Sequence, residues 1–383
     1  MTPALGLYVH WPYCARICPY CDFNVYRARG QDDALVEAIC ADLLHWRELT
    51  GERKLASIHF GGGTPSLMTA AQIDPIIRAA DRLWGFVPGI EIGLEANPND
   101  CANFSDLASA GVNRMSLGVQ SFDGAALKML GRDHDAASAR KAIDAAQSAF
   151  NRVSFDMIYA LEGQGVEIWR TELAEALAYN TEHLSLYQLT IEPGTAFAKR
   201  VARGDMAAPD GDIGADLYSL TQDMCSSAGL EGYEVSNHAR GNAARSAHNG
   251  LYWSGGDWIG VGPGAHGRLG YHVSGGRLAT EAAARPGDYC QAVKEVGCGY
   301  EGGATLSAHE EAAERILMGL RVVDGLDRKA LRELTGLDVQ TTAARKFAGD
   351  DLIVLTDDRV SLTPPGRLFA DRIAGELVPQ AED

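Results

Sequence analysis

Three cysteines lie close together near the start of the chain, within the stretch "HWPYCARICPYCDFNV" that begins at His10. The spacing of Cys14, Cys18 and Cys21 suggests metal chemistry, because clustered thiolates bind zinc or iron–sulfur clusters. Structural zinc takes four Cys or His ligands, so the nearby His10 keeps a zinc site open as an alternative. A [4Fe–4S] cube held by three cysteines would leave one iron free to bind a small chelating molecule.

The other five cysteines, Cys40, Cys101, Cys225, Cys290 and Cys298, are scattered along the chain. Disulfide frameworks are typical of small secreted domains, which a chain of 383 residues is not. We therefore expect these five to be small buried apolar residues rather than ligands or disulfide partners.

Charge and composition exclude several classes of partner. The net charge of −17 is spread along the chain, whereas binding to nucleic acid or to anionic membranes needs basic patches. No apolar run approaches the roughly 20 residues that cross a bilayer. The first residues also lack the basic and apolar regions of a secretion signal. The sequence therefore predicts a cytoplasmic protein that does not bind nucleic acid.

The first part of the chain repeats one pattern, a short apolar run followed by a loop and a helical stretch. The runs are "GLYVHW", "LASIHF", "IEIGLEA", "RMSLGVQ", "RVSFDMIYAL" and "HLSLYQLTI", and the helices are predicted at 33–49, 70–84, 104–110, 136–150, 167–179 and 213–228. Continuously apolar strands are typical of a parallel sheet that is covered on both faces. Six such units predict an α/β fold, an incomplete parallel (β/α)6 barrel over residues 1–232, with an open doubly wound sheet as the alternative.

Two further regions follow the six units. Residues 233–305 are rich in Gly, His and aromatics, so we expect a connecting segment that is too polar for a core and carries function. In residues 306–383, helices are predicted at 309–320, 328–335 and 341–347, then a hairpin from "LIVL" and "VSL" and a last helix from about Pro365. This order predicts a small winged-helix-like α+β domain, and its excess of acidic residues favours packing or docking over DNA binding.

The cysteine spacing gains specificity when it follows the first strand of such a barrel. The order C-x3-C-x2-C at this position resembles the signature of the radical S-adenosylmethionine (SAM) superfamily. The motifs "YVHWPYCARICPYCDFN", "FGGGTPSL", "EANP", "LGVQSF", "LGRDH", "LYQLTIEPGT", "YEVSNHA" and "HNGLYW" resemble the family of oxygen-independent coproporphyrinogen III oxidases, from Tyr8 to about Arg268. The resemblance implies a [4Fe–4S] cluster on Cys14, Cys18 and Cys21. Its fourth iron would chelate SAM, and its electron would cleave SAM to a 5′-deoxyadenosyl radical.

The resemblance also assigns residues to the SAM site, most of them at or near strand ends, where barrels carry their chemistry. The implied SAM contacts are Tyr8, Tyr20, Gly62, Gly63, Thr64, Glu95, Gln120, Arg132 and Asp156. SAM carries an ammonium, a carboxylate and ribose hydroxyls, which require carboxylate acceptors and basic or amide donors. On the residues alone, helix capping by Glu95 and Asp156 and a surface position for Arg132 remain open alternatives.

Several features separate the chain from the oxidases of this family and favour its heme-chaperone branch. Phe23 stands where the oxidases carry a further cysteine, and the oxidases have a longer segment before the first strand. "HNGLYW", from His248 to Trp253, resembles a signature of the chaperones. One departure is neutral: the family's "GLPGQ" reads "ALEGQ" here, and Glu162 in place of proline changes the stiffness of that loop.

The resemblance therefore predicts a protein that binds heme and delivers it to membrane-bound respiratory heme proteins. It would meet the inner membrane only for that transfer, and the family resemblance also implies a homodimer. His248 is the leading predicted heme contact, because imidazole is a natural axial ligand of heme iron, and His238 and His266 are weaker ones. A structural hydrogen bond is the alternative role for His248. The alternative function is that of an oxygen-independent coproporphyrinogen III oxidase, so enzyme activity stays open and no catalytic residue is assigned.

Overall fold

Six parallel strands form the centre of the main sheet, as the repeated strand and helix pattern predicts. The computed structural model describes residues 4–28, 30, 32–270 and 276–380. Each of the six strands pairs in parallel with the next one along the chain. They are Leu5–Trp11, Leu55–Gly62, Phe86–Ala96, Arg114–Gln120, Arg152–Tyr159 and His183–Gln188. Apolar side chains from all six enter one hydrophobic core, which confirms that the sheet is covered.

Helices connect these strands and bury one face against them. They are Asp33–Thr50, Ala70–Trp84, Phe104–Ser109, Gly124–Met129, Ala136–Ala149 and Val166–Ala178, and Ala196–Ala202 and Gly211–Ser227 follow the sixth strand. The helix Ala70–Trp84 shows how the sequence sets these bounds. It begins at a capping box between Thr69 and Gln72 and ends at Gly85, whose φ of 64° favours glycine.

The segment 233–305 is not a connector outside the core, so that part of the prediction is wrong. The strand Asp257–Val261 pairs in parallel with Leu5–Trp11 and so adds a seventh parallel strand to the sheet. Further strands from this segment, His266–Leu269, Leu278–Ala282 and Tyr300–Thr305, extend this side in antiparallel order. On the opposite side the short strands Asn237–Ala239 and Glu231–Gly232 follow His183–Gln188. The sheet order of the described strands thus has two free edges, and the barrel is incomplete.

The glycines of this segment serve close packing rather than a loose loop. A Cβ at Gly260 would clash with the carbonyl oxygen of His266 on the neighbouring strand. A Cβ at Gly267 would lie 3.0 Å from the carbonyl oxygen of Trp258. The composition that suggests an irregular segment therefore reflects a tight antiparallel pairing. Two helices, Ala247–Trp253 and Pro286–Val296, complete this part of the chain.

The C-terminal region has a hydrophobic core of its own, which confirms the predicted order of helices and hairpin. The helices are Ala308–Arg321, Arg328–Thr335, Thr341–Gly349, Pro364–Arg367 and Ala370–Leu377, and the strands are Leu326–Asp327, Ile353–Leu355 and Arg359–Leu362. Ion pairs such as Arg321 to Glu234, 2.7 Å, hold it against the barrel. The residue limits of the three predicted regions remain a prediction.

The structure also bears on two expectations, that the scattered cysteines are buried and unpaired and that no segment crosses a membrane. All eight cysteines are free, and of the scattered five, Cys225 and Cys298 are fully buried whereas the other three are partly buried. Within the described part of the chain, no helix has the length and apolar character needed to span a bilayer.

Candidate functional site

The cysteine loop forms one wall of a cleft at the ends of the parallel strands. Cys14 lies in the short strand Tyr13–Cys14, which pairs with Tyr26–Arg27 and so closes the loop between them. Inside this loop, the backbone N–H of Cys21 donates to the carbonyl oxygen of Cys18 at 3.2 Å. All three thiols line the cleft, whose volume is about 170 Å³. Burial raises the pKa of Cys14 and raises that of Cys21 to about 11, so deprotonation must accompany metal binding.

The glycine run after the second strand packs directly on the cysteine-bearing strand. The N–H groups of Gly63 and Thr64 donate to the carbonyl oxygens of Trp11 and Tyr13, at 2.7 and 2.8 Å. A Cβ at Gly63 would lie 2.7 Å from the Tyr13 oxygen, and Gly62 has a φ of 106°. Glycine is therefore required here by the protein's own packing, before any ligand is considered. Short 3-10 turns follow at Pro65–Leu67, at Pro98–Asn103 and at Asn242–Ala244.

Glu95 ends the third strand and is held by two donors. Its carboxylate lies 3.1 Å from His59 Nε2 and accepts the Gly62 N–H at 3.2 Å. About 40% of the Glu95 side chain is exposed to the cleft, so the carboxylate is fixed in orientation but remains accessible. Such an anchored acceptor suits the ammonium or the ribose hydroxyls of a ligand like SAM. His59 was not among the predicted residues, and the "IHFGGG" pattern gives no sign of its contact with Glu95.

Gln120 and Arg132 approach the cysteine loop from the other side. Gln120 has a φ of 68°, which is uncommon for a residue other than glycine and is a feature found at functional sites. The Arg132 guanidinium lies 3.4 Å from Cys18 Sγ and 3.5 Å from the Tyr20 hydroxyl, and it donates to the Gly118 oxygen at 2.9 Å. Its buried Nε has no hydrogen-bond partner in the described structure. An anionic group in the cleft could satisfy this donor.

Asp156 lies in the fifth strand and closes the floor of the cleft. The Ser116 hydroxyl donates to its carboxylate at 3.4 Å. Burial, and next the charge of Glu95, raise the pKa of Asp156 to about 7. The two carboxylates therefore differ, because Glu95 is partly open to solvent and Asp156 sits in a desolvated position.

Tyr8 is the one predicted SAM contact that does not line the cleft. Its hydroxyl is 3.0 Å from Nδ1 of His10, and Nε2 of His10 is 3.0 Å from the Asn24 oxygen. A carbonyl oxygen can only accept, so Nε2 carries the proton and Nδ1 accepts from Tyr8. Burial lowers the pKa of His10 and so favours its neutral form. With both ring nitrogens engaged, His10 does not offer the fourth ligand of the zinc alternative.

The three predicted heme-contact histidines lie in different places. His248 is fully buried inside the barrel, stacked on His59 with ring centres 5.0 Å apart. Its Nδ1 lies 2.8 Å from the Ser57 hydroxyl and its Nε2 2.5 Å from the Tyr252 hydroxyl, so iron ligation would need both contacts to open. His238 is buried and His266 is exposed, and neither lines the cysteine cleft. His248 as a heme contact stays a prediction, whereas its hydrogen bonds are observed.

A buried carboxylate explains why the "HNGLYW" helix enters the barrel. Glu91, in the middle of the third strand, accepts the N–H groups of Ala247 and His248 at 3.0 Å each. Arg152 pairs with Glu91 at 2.8 Å and balances its charge. These contacts point His248 into the barrel interior, a position that the sequence pattern alone does not reveal.

Other motif residues that the sequence reasoning quoted but did not assign also reach the cleft. Asn97 of "EANP" and Asp133 of "LGRDH" are joined by a 3.1 Å hydrogen bond at the rim. Phe23, which replaces a cysteine of the oxidases, lines the cleft and is 62% exposed. Glu162 lies elsewhere, where its carboxylate accepts the Ala207 N–H at 3.2 Å.

The donor set fits a three-cysteine [4Fe–4S] cluster with SAM beside it. Three free thiols share one cleft with eight of the nine predicted SAM contacts. Within the described ranges, no three His, Cys, Asp or Glu side chains form a preassembled metal site, the cysteine loop included. The unpartnered Arg132 Nε and the anchored Glu95 carboxylate offer the two kinds of polar group that the ends of SAM require.

Comparisons with known proteins agree with this geometry. The Radical SAM superfamily profile matches residues 8–173, and the HemN C-terminal domain profile matches residues 306–369. The mouse protein "Radical S-adenosyl methionine domain-containing protein 1, mitochondrial" is 35% identical over 99% of this chain and 88% of its own. The "Heme chaperone HemW" of Bacillus subtilis is 30% identical over 97% of this chain and 98% of its own. A fold and site of this kind define a radical SAM protein.

The particular family follows from the relatives that span nearly the whole chain. The protein belongs to the HemN-like family of radical SAM proteins that includes the heme chaperone HemW. The structure of the Escherichia coli coproporphyrinogen III oxidase HemN matches with a TM-score of 0.81 at 22% identity, covering 98% of this chain and 90% of that one. At this identity the match shows the shared fold.

Proposed function

We propose that the protein is a [4Fe–4S] radical SAM-type heme chaperone that binds heme and delivers it to respiratory heme proteins. The observation that carries the first half is the single cleft in which Cys14, Cys18 and Cys21 meet the predicted SAM contacts. The heme part is supported by full-length relatives that are named heme chaperone HemW. The exposed Phe23 in place of the oxidases' further cysteine supports the same branch.

The residues that line the cleft would then have separate roles in binding the cluster and SAM. Cys14, Cys18 and Cys21 would hold the cluster, which supplies a single electron when it is bound and reduced. Glu95, fixed by His59 and Gly62, would orient the polar end of SAM. Arg132 is positioned between the cysteine loop and the fourth strand and would add a fixed positive charge beside the thiolates.

Anaerobic reconstitution of the full chain tests this proposal. The expected sample contains about four irons and four sulfides per chain, shows broad visible absorption that dithionite bleaches, and binds hemin saturably. Stoichiometric zinc without iron would contradict the cluster. Robust conversion of coproporphyrinogen III to protoporphyrinogen with SAM would contradict a function limited to heme handling.

A further inference from the structure

A second cavity is lined by residues of the barrel and of the C-terminal region. We call it the arginine groove, and define it by Tyr187, Tyr218, Arg367, Leu368 and Phe369, which line a space of about 770 Å³. The groove shares no lining residue with the cysteine cleft. It begins near the ends of the fifth and sixth parallel strands and is closed by the segment after Pro364–Arg367. Its volume lies within the range of pockets that hold ligands of drug size.

Large apolar side chains are exposed along this groove. Tyr187 is 40% exposed, Leu368 is 41% exposed and Phe369 is 47% exposed. All three belong to one concave surface, whereas single exposed apolar residues on a convex surface carry no such meaning. Two aromatic rings and a leucine in a groove suit the face of a flat apolar molecule.

A phenol and a guanidinium lie together at one end of the groove. The Tyr218 hydroxyl is buried, and the Arg367 guanidinium lies within hydrogen-bonding reach of it. Arg367 forms no ion pair with the described residues, and its hydrogen bond to the Gly232 oxygen is long, at 3.4 Å. Arg367 is therefore a charged donor on the groove wall whose described partners are a phenol and one long backbone contact, and an anionic ligand group could bind it.

The remaining charges of the groove are balanced or lie at its rim. Arg321 is paired with Glu234 at 2.7 Å, and Arg372 is paired with Glu376 at 3.0 Å. Asp212 and Asp371 also line the groove. Arg367 is therefore the charge that most needs an anionic partner, and a guanidinium with a neighbouring phenol is a good receptor for a carboxylate.

We propose that the arginine groove is the heme seat, with one propionate bound by Arg367 and Tyr218 and the ring covered by Tyr187, Leu368 and Phe369. The proposal rests on the heme-binding function proposed above and assigns its location. The chemistry recognised is a planar apolar ring with carboxylate arms. It does not require His248, whose ring nitrogens are already hydrogen bonded inside the barrel.

Titrations of hemin and of hemin dimethyl ester into the full chain test this location. We expect Arg367→Gln to raise the hemin Kd about ten- to hundredfold, because a charge-assisted contact is lost, and Tyr218→Phe to raise it a few-fold. For the ester, which has no carboxylates, wild type and Arg367→Gln should agree within about twofold. Arg345→Gln, an exposed arginine of the same C-terminal region, is the matched control and should bind hemin like wild type. Phe369→Ser should weaken hemin and ester alike, and circular dichroism confirms that each variant is folded.

The possible results distinguish an error in the proposed heme location from an error in the proposed heme-binding function. Saturable hemin binding by wild type that is unchanged in Arg367→Gln and Phe369→Ser overturns the groove and leaves the heme function standing. An equal loss of ester and hemin binding in Arg367→Gln also overturns the carboxylate contact, since it points to a structural effect. Absence of saturable hemin binding in wild type contradicts the proposed function and the groove together.

Discussion

The cysteine cleft and the arginine groove differ in the hydrogen bonding and in the exposure of the side chains that line them. In the cleft, most polar groups are already hydrogen bonded, and backbone contacts from the glycine run fix the wall before a ligand arrives. In the groove, large apolar side chains are exposed, and Arg367 forms no ion pair with the described residues. A rigid wall of this kind suits the proposed cluster and SAM, whereas exposed apolar side chains suit the proposed exchange of heme.

The difference also explains what the sequence could predict. The cleft is made of short motifs, so Cys14, Cys18, Cys21 and the glycine run were found from their spacing and position. The groove joins Tyr187, Tyr218 and Arg367, which are far apart in the chain and belong to no common motif. Sequence patterns report local spacing, and a site assembled across domains leaves no local pattern.

The largest expected effect separates the two regions. Cys18→Ala should lower the iron content of the reconstituted chain from about four to below one, because an iron of the cube loses its protein ligand. Hemin affinity should change by less than about threefold, since Cys18 does not line the groove. Iron analysis and hemin titration on one preparation measure both. Cys290→Ala, a partly buried cysteine outside the loop, is the control and should keep its iron.

A smaller effect is expected from the packing of the glycine run. Gly63→Ala should reduce the free energy of unfolding by about 1–3 kcal/mol, because the new Cβ meets the Tyr13 and Trp11 carbonyl oxygens below 3 Å. Denaturant unfolding of the cluster-free chain measures it without interference from iron. Gly124→Ala, where nothing lies within 4 Å, should be neutral or slightly stabilising. Equal stability of Gly63→Ala and wild type would contradict the close packing.

The smallest expected effect concerns the desolvated carboxylate of the cleft floor. The folded pKa of Asp156, about 7, lies above its ordinary value of 3.8, so the charged form opposes folding. Below about pH 4 the side chain is neutral in both states. Between about pH 4 and 7 the unfolded chain releases this proton and the folded chain keeps it, so the cost grows with pH over this range and is constant above 7. The stability of Asp156→Asn relative to wild type should therefore rise from pH 5 to 7 and then level off, by on the order of 1–2 kcal/mol.

Asp135→Asn is the control for the pH dependence of Asp156→Asn. Asp135 is an exposed helix cap whose pKa is lowered by the Ser138 backbone N–H. Its contribution is lost only as the pH falls below its ordinary pKa, so Asp135→Asn should differ from wild type by a constant amount between pH 5 and 8. Urea unfolding at several pH values compares the two, and a flat profile for Asp156→Asn would contradict its burial.

The fold was predictable where each strand carries its own apolar run. The six strands, six of the connecting helices and the C-terminal helices are predictable because burial imposes a local pattern, whereas the short helices Gly124–Met129 and Ala196–Ala202 are not predicted. The seventh parallel strand, Asp257–Val261, was missed because Gly260 and its glycine-rich surroundings give no apolar run. The position of His248 depends on Glu91, which lies 157 residues away in the sequence. A contact between residues this far apart in the sequence cannot be predicted from the spacing of residues within a motif.

One anaerobically reconstituted sample of the full chain can test the proposed heme-chaperone function directly against the oxidase alternative. It is divided and given either hemin, or coproporphyrinogen III with SAM and a reductant. We expect saturable binding of about one heme per chain and no accumulation of protoporphyrinogen. Protoporphyrinogen formation without saturable heme binding would contradict it, and would show that the cysteine cleft serves porphyrin oxidation instead of heme transfer.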